Sequence, residues 1–153
     1  MTARLLLAGL CAALAACSSF EAKWRAAKDR TTAYGPTRWD GRWTSEKHRT
    51  RAGRPEGGRL RCVLTNGANA GRGGGAPDLR ADFRANWSVF ATSYTLFLTP
   101  LPGSRTEFRG SHQLPAIFGG TYRYSAHISG DRFTARYDSS YDRGTFDLTR
   151  VRP

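Results

Sequence analysis

Residues equipped for chemistry are few in this chain of 153 residues. Its three histidines, His48, His112 and His127, lie far apart, and no cysteine pair joins them. A transition-metal site takes three or four converging ligands, so no metal is expected. Asp138, Asp142 and Asp147 gather near the C-terminus, where two carboxylates on one surface would suit general acid and base work. Each also has an arginine near it in sequence, at Arg136, Arg143 and Arg150, and cross-strand ion pairing accounts for the acids equally well. A serine nucleophile needs a placed base and an orienting acid, and no nucleophile-elbow pattern occurs. The glycine-rich run at Gly71 to Gly75 lacks the Lys-Ser/Thr ending with which a phosphate loop grips a nucleotide, so it reads as a connection. The expectation is a chain that is not an enzyme and uses no cofactor.

The cysteines speak to location. Arg4 precedes an apolar stretch, Leu5 to Leu14, broken only by Gly9. That is the pattern of an export signal, and it falls short of the roughly 20 apolar residues a bilayer span requires. The stretch ends in Leu14-Ala15-Ala16-Cys17, which resembles the lipobox of bacterial lipoproteins. The resemblance implies that residues 1–16 are a signal peptide and that Cys17 is lipidated through sulfur and becomes the N-terminus. With Ser18 next, it implies sorting to the outer membrane, on the periplasmic side. Cys11 leaves with the signal, so Cys62 has no intramolecular partner in an oxidising compartment. Its phase with Leu60 and Leu64 marks a buried thiol.

Lys and Arg number 24 against 12 Asp and Glu, a net charge of +12. Arginine supplies nearly all of the excess, because lysine occurs only at Lys23, Lys28 and Lys47. The arginines are spread along the chain without a compact run. They read either as solvated strand-face residues or as a surface for an anionic envelope component such as lipid head groups, lipopolysaccharide or acidic glycans. Nucleic acid is not expected as a partner of an exported lipoprotein.

The elements that would position these residues divide the mature chain in two. Residues 17–37 form a lipid-anchored tether, in which Phe20, Trp24 and Ala27 recur at helical spacing before Gly35 and Pro36 close the segment. The spacing fits a short amphipathic helix near head groups and equally a tether with a frayed turn. From residue 38 to 153 the period is two. Leu60, Cys62 and Leu64 alternate with Arg59, Arg61 and Val63, and the same alternation recurs in 79–87, 121–129, 132–138 and 144–148. About eight half-buried antiparallel strands are predicted, near Trp39–Lys47, Gly58–Thr65, Leu79–Phe90, Ser93–Thr99, Arg105–His112, Gly120–Ser129, Arg132–Ser139 and Gly144–Val151. Turns at Ser129-Gly130-Asp131 and Asp142-Arg143-Gly144 join neighbours, and Gly144 is expected there for a positive φ. A sheet with one apolar face per strand must close or stack. The predicted fold is therefore all-β, a small antiparallel up-and-down β-barrel behind a signal peptide and tether.

The elements Trp39 to Trp43, Gly58 to Cys62, Phe83 to Trp87, Gly119 to Ala126 and Arg143 to Arg150 resemble those of uncharacterised bacterial lipoproteins with a small calycin-like, or lipocalin-like, barrel. The resemblance implies fold and envelope location and carries over no catalytic residue. An interior bounded by eight strands is either filled by side chains or holds one small ligand. Trp87, Tyr122, Tyr124, Phe133 and Phe146 are the candidate lining for a small apolar or amphipathic ligand, and the same aromatics would serve as plain core. Trp39 and Trp43 share parity with Gly41, and together they either plug one end of the barrel or present a ring for stacking.

Overall fold

The computed structural model describes residues 19–27, 36–67, 78–87, 91–113 and 120–152. Cys17 and the glycine-rich run at 71–75 lie outside the described residues. Eight strands follow one another: β1 (Thr37–Arg49), β2 (Pro55–Asn66), β3 (Leu79–Asn86), β4 (Ala91–Pro100), β5 (Glu107–Gln113), β6 (Thr121–Ser129), β7 (Arg132–Asp138) and β8 (Arg143–Val151). Each pairs antiparallel with the next, and β8 returns to β1, so the sheet is a closed up-and-down barrel. This is the predicted architecture, and it agrees with the calycin-like fold that the resemblance implies. The strand bounds differ from expectation mainly at β3, which ends at Asn86 and leaves Trp87 beyond the last paired residue.

The barrel has two unlike ends. At the base lie the start of β1, the finish of β8 and the β2–β3, β4–β5 and β6–β7 connections. At the rim lie the other four connections. Inward-facing residues of the basal half and waist are almost wholly apolar: Trp39, Leu60, Cys62, Phe83, Leu98, Phe133 and Leu148 are all buried. Each aliphatic or aromatic side chain so buried contributes about 1.5–3 kcal/mol. Trp39 stands edge-on to Phe133 with centroids 5.8 Å apart and donates its indole N–H to Thr37 Oγ1 at 2.9 Å. Trp39 and Trp43, each 3 % exposed, do share the inward face. They plug no single end together, because β1 carries Trp39 near the base and Trp43 toward the rim.

The outer wall is wet and stitched by ion pairs, among them Arg59–Asp40, Arg132–Asp147 and Arg136–Glu46, and by a hydrogen bond between His127 and Glu107. One outward patch is dry. Val63 is 1 % exposed because a helix, α1 (residues 19–26), lies across it and packs with Phe20, Trp24 and Ala27. The frayed-turn reading of this segment gives way to a docked helix, and the reason is electrostatic as well as apolar. Glu21 receives Arg61 and approaches Arg84, while Lys23 pairs with Asp82 at 3.0 Å. The Arg61 guanidinium also lies over the rings of Phe20 and Trp24, 5.3 and 5.1 Å from their centroids. Arg61 holds the Glu21 carboxyl below its ordinary range. Burial raises the Asp82 carboxyl, but Arg80, Thr95 and Lys23 together outweigh it and leave the group below its ordinary range.

Candidate ligand-binding site

The rim half of the interior differs in kind from the base. Asp142, in the β7–β8 turn, is buried, and both its carboxylate oxygens are engaged. Ser45 Oγ donates to Oδ1 at 2.7 Å and Tyr137 Oη donates to Oδ2 at 2.8 Å. Ser45 in turn accepts the main-chain N–H of His48 at 2.8 Å. The His48 ring sits 4.0 Å from Asp142 and 4.9 Å from the Tyr141 ring. β1 bulges here, since four residues between Thr44 and Arg49 face one on β2, and the bulge folds against the β7–β8 turn. Lys47 Nζ completes the join with bonds of 3.2 Å to the carbonyls of Ser139 and Ser140. The carboxylate lies between the serine and the histidine. The Ser45 proton is thus committed to Asp142, and His48 is not placed to take it, which makes this knot a fastening of the rim.

Aromatic rings continue inward from the knot. Tyr122 stacks on Tyr137 at 5.3 Å, Tyr137 meets Phe146 at 5.1 Å, and Tyr94 stacks on Phe83 at 5.3 Å. Trp43, two residues before Ser45 on β1, lies 4.2 Å from Trp87 and donates its indole N–H to the Asn86 carbonyl at 3.0 Å. Burial pushes the phenols of Tyr94, Tyr122 and Tyr137 far above their ordinary range, and the adjacent Asp142 carboxylate adds to the effect on Tyr137. Burial likewise pushes the Cys62 thiol up. Despite these surroundings, Trp87, Tyr94 and Tyr122 remain only half-buried, whereas the rings at the waist are sealed.

The five candidate lining residues therefore separate. Trp87 and Tyr122 stand at the rim with accessible surface, and Phe133 and Phe146 are packed in the waist of the core. Tyr124 points inward, but its phenol bonds the main chain of Phe97 on β4. Tyr94, Ser45, Tyr137 and Asp142 belong to the rim without having been singled out as lining. The period-two signal contains three of them, since Ser45 follows Trp39, Gly41 and Trp43 in phase, Tyr94 precedes Leu96 and Leu98, and Tyr137 follows Phe133 and Ala135.

The remaining candidates for chemistry point elsewhere. His112 is exposed, and His127 lies on the outer wall against Glu107 at 2.5 Å. Asp147 faces out to Arg132 at 2.9 Å and Asp138 is exposed, so neither converges with the inward Asp142. Among the described residues no group of three or more His, Cys, Asp or Glu is placed to hold a metal ion. Comparison with protein-family models, with curated proteins and with solved structures gives no match to this chain. What is established is the class: a closed eight-stranded antiparallel barrel with an apolar base and an aromatic, hydroxyl-rich rim.

Proposed function

We propose that this is a lipid-anchored protein of the cell envelope whose barrel receives a small apolar or amphipathic ligand through the rim. Location rests on the signal pattern of residues 1–16 and on Cys17 in its lipobox-like setting. The observation that carries the ligand reading is the contrast along the barrel axis. Inward-facing Trp87, Tyr94 and Tyr122 keep accessible surface at the rim, above a waist in which Phe83, Phe133 and Leu148 keep almost none. These rings pack against the core with part of their surface open, and a ligand resting on them would meet an apolar floor and the phenols of Tyr94 and Tyr122. The role is that of a carrier or sensor, with no bond made or broken.

Native mass spectrometry of a chain beginning at Ser18, purified from cells, tests the reading. A stoichiometric small molecule that is lost in Trp87→Ala and Tyr122→Leu is the expected result. A clean protein mass in repeated preparations, with no change in tryptophan fluorescence on titration with laurate, would overturn it. For the anchor, Cys17→Ser in the full chain should abolish partitioning into the detergent phase.

A further inference from the structure

The β1–β2 hairpin at the rim carries Arg49, Arg51 and Arg54, all exposed. On the wall, Arg59, Arg132, Arg136 and Arg143 each meet a carboxylate, while Arg42, Arg109, Arg123 and Arg150 stand exposed and more widely spaced along the strands. Among the described residues the three hairpin arginines form no ion pair. Of the acids nearby, Glu46 is held by Arg136 and Arg143 and the buried Asp142 by Ser45 and Tyr137, which leaves Glu56 against Arg49, Arg51 and Arg54. The hairpin thus gathers three unpaired, exposed arginines within six residues at the rim end of the barrel. Tyr141, 58 % exposed, stands beside it on the neighbouring turn with its ring against His48. Basic residues flanked by an accessible tyrosine are the surface chemistry suited to the head-group layer of an anionic bilayer.

The direction of α1 points the same way. Glu21, in its first turn, meets Arg61 and Arg84. Lys23 meets Asp82, one rung nearer the base, and Trp24 lies under Arg38 near the start of β1. The helix therefore runs from rim to base, and its N-terminus faces the rim. Ser19 thus stands at the rim-side end of the helix, and two residues of chain, the distance back to Cys17, span at most about 7 Å.

We propose that the rim, led by Arg49, Arg51 and Arg54, is the face that docks on an anionic lipid bilayer. The barrel then stands on the membrane with its hairpin in the head groups and its apolar base turned away. The ligand of the proposed function would enter from the bilayer surface. This docking shares only the membrane location with that function and stands or falls separately.

The test is co-sedimentation of the chain beginning at Ser18 with vesicles of phosphatidylglycerol and phosphatidylcholine, against vesicles of phosphatidylcholine alone, at low salt. That chain lacks Cys17, so the result is independent of lipidation. Binding to the anionic vesicles only is expected. Each basic residue at such a surface is worth about five-fold in partitioning, so Arg49→Gln, Arg51→Gln and Arg54→Gln together should weaken binding about a hundred-fold. The charge-matched variant Arg105→Gln, Arg109→Gln and Arg150→Gln, near the base, should lose far less. Near-ultraviolet circular dichroism confirms that both variants keep the barrel. Equal losses in the two variants, unchanged binding in the hairpin variant, or no binding by the parent chain would each overturn the proposal.

Discussion

The phenol of Tyr124 bonds both main-chain groups of Phe97: the Phe97 N–H donates to Tyr124 Oη at 3.2 Å, and Oη donates to the Phe97 carbonyl at 2.9 Å. β4 and β5 share only two register pairs, Thr99 with Arg109 and Pro100 with Phe108. A side chain from β6 thus reaches across β5 and serves β4 where the strand pairing has run out. Tyr124→Phe removes both bonds, and the expected loss is about 1–3 kcal/mol by chemical denaturation. Hydrogen exchange at the Phe97 amide should quicken selectively. Unchanged exchange there would show that the seam holds without the phenol.

Gly110 makes that reach possible. A Cβ at Gly110 would lie 2.3 Å from the Tyr124 ring and 2.4 Å from the Phe97 carbonyl oxygen. Gly110→Ala should therefore cost about 1–3 kcal/mol through overpacking. In the background of Tyr124→Ala the same change should cost less, because one of the two collisions is gone. Equal costs in the two backgrounds would exclude the ring as the obstacle.

Gly144 is confined for a related reason, and not for the positive φ expected of a turn. It lies within β8, and its φ is not positive. A Cβ there would stand 2.0 Å from the Thr44 carbonyl oxygen and 2.6 Å from the Tyr137 hydroxyl. Gly144→Val should lower the melting temperature sharply and disturb the knot around Asp142. A parent-like melting curve would contradict the geometry.

Asp142→Asn keeps the shape of the rim and removes the charge that two hydroxyls serve. A loss of about 1–3 kcal/mol is expected. Tyr137 should also ionise at lower pH than in the parent, read by ultraviolet absorbance titration, since the carboxylate no longer opposes the phenolate. For the parent, the raised phenols of Tyr94, Tyr122 and Tyr137 set an alkaline limit. Unfolded tyrosines release protons from about pH 10, while the folded ones keep theirs. Stability is full below that pH and falls as pH rises beyond it. A flat stability profile from pH 9 to 12 would contradict the burial of these groups.

At the acid end the sign reverses. Glu21 and Asp82 are held below their ordinary values, so the stability they contribute is present above about pH 4 and is lost as pH falls through the folded values. Pepsin cleavage within residues 19–27 should therefore appear as pH drops from 4 to 2, ahead of cleavage in the barrel. Glu21→Gln should move its onset to higher pH. Simultaneous cleavage of helix and barrel would mean that α1 is not a separate acid-sensitive element.

Much of the fold was legible in residues 38–153, because a half-buried strand writes its two faces as alternation. Leu60-Cys62-Leu64 and Phe133-Ala135-Tyr137 each project to one side, and the barrel follows from the need to cover that side. α1 was less legible. Phe20, Trp24 and Ala27 in phase do not specify what they pack on, and the partner is an exception to the strand rule, the outward Val63. Nor did the site divide on sequence alone. Phe146 and Tyr122 have the same parity signature, yet one is sealed at the waist and the other stands open at the rim, because depth along the barrel depends on where each strand begins and ends. The Asp142 knot joins residues about 100 apart in sequence, Ser45 to Asp142, and local spacing is silent on such a pairing.

The docking of α1 sets a length. With Cys17 as the anchor and the helix in place, about 7 Å of free chain separates lipid from protein. With the helix released, the roughly 20 residues from Cys17 to Thr37 become a line of up to about 70 Å. Glu21 and Lys23 act as the cleats, and Arg61, Arg84 and Asp82 as the bollards that take them. On the proposal that Cys17 is the anchor, the barrel made fast would be berthed against the bilayer, and cast off it would ride at the end of its mooring.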